Sequence, residues 1–237
     1  MTIQEMFPDG EWKSDVEYLI KCPYCGDPPI GHNHCYINVY KEKFYCQYCG
    51  EAGTTFRFLF PIYEDAKSVC FMGRGIIENV NPKWMFPHKG ETLLTTSECL
   101  FCYDFLNAFT EPENVVLVEG AFDAIKLNRI FEADPSIFKA LAFAVMGKKL
   151  SDVQLNKLLR LPKKTQFYVM LDADARKSEI AVAHKLKMYG RDVRVCQLDA
   201  EIGEPDGFTF AWQVADVLDN AFEMDLNLEI KSLLNDK

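Results

Sequence analysis

Val115-Val116-Leu117-Val118-Glu119-Gly120-Ala121-Phe122-Asp123-Ala124-Ile125 and Phe167-Tyr168-Val169-Met170-Leu171-Asp172-Ala173-Asp174 are the two stretches whose reading decides the fold. Each opens with a run of apolar residues that fits a strand buried on both faces of a parallel sheet, and each run ends in acids. Glu119 falls at the carboxyl end of the first strand, Gly120 permits a tight turn, and 121–130 reads as a helix. Asp172 and Asp174 fall at the same end of the second, with another helix expected over 177–188. Carboxyl ends of neighbouring parallel strands form one crevice, where ligands gather. Carboxylates brought together there repel one another unless a hard cation sits between them, and magnesium takes carboxylate and phosphate oxygens. An acid after a strand also serves simply to cap a helix start. Two such clusters, each directly after an apolar strand, favour the metal site.

Outward from these stretches the alternation continues. Ile137-Phe138-Lys139-Ala140-Leu141-Ala142-Phe143-Ala144-Val145 reads as a further buried strand, ending at Met146-Gly147-Lys148-Lys149-Leu150. Ser151 can cap a helix over 152–160, and 193–198 reads as another strand. The result is a βαβαβαβ pattern, the mark of an α/β fold with a mostly parallel, Rossmann-like sheet. Glu201 and Glu204-Pro205-Asp206-Gly207 add acids ahead of a final helix expected over 211–223. Leucines at 226, 228, 233 and 234 frame a terminal helix in 224–237, placed to pack on the body or meet a partner.

A chain of 237 residues, 49% hydrophobic and 26% charged, is long enough for one full core plus a small satellite module. No run approaches the roughly 20 apolar residues of a membrane span, and the first ten residues lack the basic start and apolar core of a secretion signal. A cytoplasmic protein is expected, with no membrane partner. The formal net charge of −9 argues against a surface coated for DNA binding, although acids concentrated in a metal site and tail can mask local basic contacts. Nine cysteines are many for a reducing compartment, where a disulfide framework is the wrong account.

Cysteine spacing supplies a better one. Cys22-Pro23-Tyr24-Cys25-Gly26 and Cys46-Gln47-Tyr48-Cys49-Gly50 are two Cys-x2-Cys knuckles separated by 20 residues. Four thiolates suit one tetrahedral zinc, and a glycine after each pair lets backbone amides turn toward sulfur. Between the knuckles, 35–40 and 43–45 read as strands joined near Lys41-Glu42, which makes the module a small β zinc ribbon. His32, His34 and Cys35 are alternative ligands, His34 and Cys35 reading better as a surface side chain and a small core residue. Cys99-Leu100-Phe101-Cys102 has knuckle spacing without a second pair. Its flanks, Phe101, Phe105, Leu106 and Phe109, look like the apolar face of a helix that buries free thiols. Tyr24, Tyr36, Tyr40, Phe44, Tyr45 and Tyr48, with Lys21, Lys41 and Lys43, give the ribbon rings on which single-stranded bases can stack. A small module also needs aromatics for its own core, so a structural clip and a nucleic-acid contact both remain open.

Between ribbon and sheet, 54–63 reads as a short helix ended near Pro61. Val69-Cys70-Phe71-Met72-Gly73-Arg74-Gly75 places one arginine between two glycines, offering a planar fork for phosphate, and Pro82-Lys83-Trp84 and Pro87-His88-Lys89-Gly90 add lysines in turn-rich sequence. An exposed loop with solvated charges is the plain alternative.

The order of these motifs resembles the bacterial and phage type of DNA primase, whose catalytic core is the Toprim fold. The resemblance to that fold covers about 114–206 and rests on Glu119, Gly120 and Asp123, the Gly147 loop, Asp172 and Asp174, and Glu204-Pro205-Asp206. Phe71-Met72-Gly73-Arg74 looks like the family's Gly-Arg element, and Lys83 and Lys89 look like its basic residues near substrate. The chain departs from the pattern in its middle segment of only about 60 residues, in Glu204 where family members often have Asp, and in Ala173 where they often have Gly. Its compactness is more like a phage-encoded member, which would act in the host cytoplasm. The domains expected are a ribbon over 1–53, a short basic segment over 54–112, the Toprim core over 113–207 and a helical tail over 208–237.

The resemblance implies synthesis of short RNA primers on single-stranded DNA from ribonucleoside triphosphates. Glu119, Asp172 and Asp174, with Glu204 and Asp206, would hold magnesium or manganese; Lys83 and Lys89 would join the catalytic set. Arg74, Lys83, Lys89, Lys148, Tyr45 and Tyr48 would meet nucleotide or template. No Gly-x4-Gly-Lys-Thr/Ser ATPase loop occurs, so a replicative helicase is expected as a separate partner. A Toprim nuclease and a non-catalytic single-stranded-DNA-binding accessory protein are the two rival readings.

Overall fold

The computed structural model describes residues 3–22, 25–26, 33–41, 43–54, 57–75, 82–88, 90–107, 112–135, 138–199 and 201–224. The chain divides into two compact units, Met1–Pro61 with Phe71–Pro87 and Ile62–Cys70 with His88–Lys237. Among the described residues no helix is long and apolar enough to cross a membrane.

In the first unit a short helix α1 (Ile3–Met6) precedes β1 (Glu11–Ser14), β2 (Glu17–Ile20), β3 (Cys35–Asn38), β4 (Lys43–Cys46) and β5 (Ala52–Thr54). These strands form one antiparallel sheet in chain order. The expected hairpin between the knuckles is β3–β4, with Cys35 opposite Cys46 and Tyr36 opposite Tyr45. Alternation sorts the faces: Cys35, Ile37, Phe44 and Cys46 turn inward onto Tyr18, Ile20 and Ile3, while Lys43 and Tyr45 face out. Strands β1 and β2 were not foreseen, because Glu11-Trp12-Lys13-Ser14 is exposed along its whole length and carries one large apolar side chain.

The helix expected over 54–63 is not found among its described residues, 54 and 57–63. Residues Arg57–Glu64 form strand β6, followed by β7 (Lys67–Gly75) and β8 (Trp84–Met85) in a three-stranded sheet of that order. Aromatic and β-branched residues favour the pleat, and Pro61 is tolerated where its missing N–H is not needed by the ladder. Asp65 and Ala66, both at positive φ (50° and 60°), make the two-residue turn between β6 and β7. That geometry matches the twist of a hairpin. Arg74 therefore sits on a strand rather than in an exposed loop.

The second unit holds β9 (Asn114–Val118), α2 (Ala121–Ala133), β10 (Ala140–Ala144), α3 (Asp152–Leu159), β11 (Gln166–Val169), α4 (Arg176–Lys187), β12 (Asp192–Val195), α5 (Ala211–Asp219) and β13 (Phe222–Glu223). Its sheet runs β10-β9-β11-β12-β13, parallel from β10 to β12. This is the mostly parallel α/β architecture expected. Val115, Leu117, Phe143, Phe167, Val169, Val193 and Val195 meet Leu155, Leu158, Val182, Ala183 and Leu186 in the core. Ser151 caps α3 as foreseen, its Oγ accepting the Gln154 amide at 3.1 Å while Gln154 Oε1 accepts the Ser151 amide at 2.9 Å.

Two helices fall short of expectation. The last ends at Asp219, and Phe222–Glu223 return as β13, antiparallel to β12, with Phe222 opposite Val195. Over 99–107, the described part of the expected helix around Phe101 to Phe109, there is no α-helix but a 3₁₀ turn, Tyr103–Asn107. The cause is tertiary: Phe101 and Ala144 exchange amide–carbonyl bonds at 3.0 and 3.2 Å, which pins the segment to the margin of β10. Cys99 is buried, Cys102 is half-buried and Phe105 is exposed. Phe109 and the tail helix proposed for 224–237 lie outside the described residues, apart from Met224.

Candidate functional site

Cys22, Cys25, Cys46 and Cys49 present sulfurs that all lie within 4.8 Å of one another. Cys22 Sγ is 3.8 Å from Cys49 Sγ, and Cys25 Sγ is 3.9 Å from Cys46 Sγ. Zinc–sulfur bonds of about 2.3 Å arranged tetrahedrally require sulfur–sulfur edges of about 3.8 Å, so the cluster fits zinc closely. Gly26 (φ +69°) and Gly50 (φ +75°) occupy the left-handed region just after each knuckle, their amides bonding back to the Cys22 and Cys46 carbonyls at 2.9 and 3.0 Å. Cys35 is buried in the sheet and stands outside the cluster, while His34 packs its ring 6.1 Å from that of Tyr48. His32 and Tyr24 lie outside the described residues. Tyr45 and Tyr48 are 51% and 58% exposed, so both present ring surface outward, whereas Phe44 is core.

The second site is built on strand ends of the other unit. Glu119 follows β9, and the Gly147 amide reaches its carbonyl at 3.2 Å, which brings the Lys148 loop alongside. Asp172 and Asp174 belong to a 3₁₀ turn, Ala173–Ala175, between β11 and α4. Glu204 and Asp206 flank Pro205 in another 3₁₀ turn, Pro205–Gly207, and the Ala173 amide donates to the Gly203 carbonyl at 2.7 Å. That bond ties the two acidic turns together. Asp123 links the remaining pair: its Oδ2 accepts the Gly120 amide at 2.8 Å and its Oδ1 accepts the Asp206 amide at 3.2 Å.

These acids lie near enough to raise one another. Burial raises the Glu119 carboxyl, Asp172 adds to the rise, and Lys148 opposes it. Burial also raises Asp172, with Glu204 adding and Lys148 opposing. Asp123, 5% exposed, is pushed up to about 7 by burial, against the pull of its two amide donors. Lys148 Nζ lies 2.9 Å from Asp174 Oδ1, a contact that raises the lysine. Glu119 Oε2 and Asp172 Oδ1 are buried without a hydrogen-bond partner. A buried orphan oxygen costs free energy that a coordinated cation removes. Two orphan oxygens on neighbouring strand ends are where a divalent cation would be held, although among the described residues only the four cysteines already gather three or more ligand atoms at metal-binding distance.

Arg74 lays its guanidinium 5.0 Å over the Trp84 ring. The Lys83 carbonyl accepts the Gly75 amide at 2.9 Å and Arg57 Nη1 at 3.4 Å, which leaves its side chain exposed at the start of β8. Both belong to the first unit; Lys89 lies outside the described residues. Sequence reading did not anticipate the role of Asp123 as a brace, or the involvement of Glu179 and Arg176 on α4. Glu179 is 4% exposed, its carboxyl is raised to about 7 by burial despite Arg176, and its Oε1 accepts the Leu171 amide at 3.3 Å. The only sequence signal for that pair is an opposite-charge spacing of three residues on a helix, which usually marks a solvated face.

No protein-family profile and no curated protein sequence matches the chain. Solved structures do. The DnaG primase catalytic domain bound to ssDNA superposes with a TM-score of 0.61 at 20% identity, over 78% of this chain and 58% of that one. The E. coli primase catalytic core gives 0.59 at 19% identity, over 82% and 61%. The Aquifex aeolicus primase, comprising zinc-binding and RNA polymerase domains, gives 0.56 at 16% identity, over 90% and 81%. The fold is therefore that of primase catalytic cores, and the chain spans about three-fifths of the DnaG catalytic domain's length.

Proposed function

We propose that this chain is a DNA primase, a nucleotidyltransferase that joins ribonucleotides into short primers on single-stranded DNA. The observation that carries this reading is the carboxylate cluster of Glu119, Asp172, Asp174, Glu204 and Asp206 at the strand ends of a primase-type fold, with buried oxygens lacking partners. The cluster would hold magnesium or manganese, which when bound supplies charge neutralisation at the phosphates and Lewis-acid polarisation. In the reaction a primer 3′-hydroxyl oxygen bonds to the α-phosphorus of a ribonucleoside triphosphate, the bond to the bridging oxygen breaks, and pyrophosphate leaves. The 3′-hydroxyl proton passes to solvent or to a carboxylate of the cluster.

The chain's own cations complete the assignment. Lys148, already drawn to Asp174, is placed to exchange that carboxylate for a triphosphate oxygen. Arg74, Lys83 and Lys89 neutralise phosphates of nucleotide or template, Arg74 lying over the Trp84 ring. Tyr45 and Tyr48 offer exposed rings to unpaired template bases beside the zinc cluster. The core corresponds to the Toprim type, its compactness suits a phage-encoded enzyme working in the host cytoplasm, and a replicative helicase is the expected separate partner.

The test is a product assay with purified protein, single-stranded DNA of varied sequence, magnesium or manganese and labelled ribonucleotides. Short RNA oligomers and released pyrophosphate are expected, with the template left intact. Template cleavage that requires Asp172 but no triphosphate would replace this reading with that of a nuclease. DNA binding with neither product would replace it with that of an accessory protein.

A further inference from the structure

Asp172 is gripped through the main chain on both sides. Downstream, the Ala173 amide bonds to the Gly203 carbonyl at 2.7 Å. Upstream, the Met170 amide still bonds to the Leu117 carbonyl at 2.9 Å, but Leu171 has left the sheet and its amide needs another acceptor. Glu179 Oε1 supplies it at 3.3 Å, from the first turn of α4. Glu179 Oε2 in turn takes Arg176 Nη1 at 2.6 Å. The Arg176 guanidinium lies 4.8 Å over the Phe222 ring and reaches the Cys196 carbonyl at 3.5 Å. One side-chain pair thus joins the ends of β11 and β12, the start of α4 and the edge strand β13.

A buried ion pair is a poor source of stability, since well-packed apolar residues of similar volume often do as well or better. What it offers here is a fixed acceptor for the amide that precedes Asp172. We propose that Glu179, braced by Arg176, is a positioning residue for Asp172, setting the turn that presents this carboxylate to the divalent cation. The inference rests on the proposed reading of Asp172 as a cation ligand.

Manganese titration by calorimetry, paired with thermal melts, tests it on the 237-residue wild type and on Asp172→Asn, Glu179→Gln, Glu179→Asp and the double variant Arg176→Leu/Glu179→Leu. The double variant removes the acceptor without stranding a buried charge. It should melt below wild type by no more than one unsatisfied amide costs, yet bind manganese about tenfold or more weakly, the scale typical of losing an outer-sphere support. Glu179→Gln retains an oxygen for the Leu171 amide and should keep most of the affinity. Glu179→Asp keeps its charge beside Arg176 but falls one methylene short of that amide, so it should bind weakly; it carries the test if the double variant does not fold. Unchanged manganese affinity in the double variant or in Glu179→Asp, alongside impaired Asp172→Asn, overturns the brace and leaves the cation site standing. Glu179→Gln as weak as the double variant also overturns it. A wild-type isotherm that Asp172→Asn does not alter overturns the brace and the cation reading together.

Discussion

Asp172 carries an oxygen that is buried and unpartnered, and burial and Glu204 raise its carboxyl, so its charge works against the fold. Asp172→Asn is accordingly expected to leave the melting temperature without divalent cation unchanged or raised, while lowering manganese affinity by about tenfold or more, since even outer-sphere losses cost that much. Melts and calorimetry on one preparation check both halves. A pH dependence follows from Asp123 and Glu179. Their carboxyls sit near 7 in the fold against 3.8 and 4.5 as free groups, so each holds its proton more tightly folded than unfolded. Their contribution to stability is fully present below pH 4 and is lost as pH rises towards 7, by at most about 8 kcal/mol if both act fully. Denaturant midpoints without added magnesium or manganese should therefore fall from pH 5 to pH 8, and Asp123→Asn should lose part of that slope. A flat profile in wild type would show that these carboxyls are not perturbed. Glu119, Asp172 and Asp174 were legible in the sequence because an acid directly after an apolar run has few places to go but a strand end. The bracing role of Asp123 and Glu179 was not, because a hydrogen bond to a distant amide leaves no pattern in composition or spacing.

At the scale of elements, the parallel strands announced themselves through unbroken apolar runs, and α3 through Ser151. The elements misread are those whose form depends on a partner elsewhere in the chain. Strand β13 is two residues long and exists through its pairing with β12, and the segment around Phe101 is held by Ala144. Strand β6 was read as a helix because its turn is Asp65-Ala66 rather than a glycine-bearing pair. That turn gives a direct test. Ala66 stands at φ 60°, where a Cβ is strained, so Ala66→Gly should raise stability by about 0.5–1 kcal/mol, read as a higher denaturant midpoint at unchanged slope. The same hairpin is fastened beside its turn, since Glu64 forms an ion pair with Lys157, whose ammonium also reaches the Glu98 carbonyl at 2.6 Å. The zinc module was the most legible element, because paired cysteine spacing admits few alternatives. Cys46→Ser should bring zinc well below one per chain by elemental analysis and destabilise the β3–β4 hairpin, because metal binding and folding are coupled in modules this small. Full zinc retention would remove Cys46 from the ligand set.

For the whole molecule, one set of motifs is spread over two compact units: exposed aromatics and four thiolates in one, clustered carboxylates in the other. Part of the net charge of −9 is concentrated in those carboxylates. The catalytic-type sheet also carries two short antiparallel additions, Phe101 beside β10 and β13 beside β12, and these have a consequence for biosynthesis. An uncovered strand margin is a template on which another copy can add. On the ribosome, Phe101 emerges before the strand it guards, so that margin is protected from the moment it forms. The opposite margin waits for Phe222, which follows β12 only after α5, and until then β12 is open to neighbouring nascent chains. A gene with a stop codon in place of Asn220 should therefore yield inclusion bodies in preference to dispersed protein. Soluble, monodisperse product from that truncated gene would show that β12 needs no late guard.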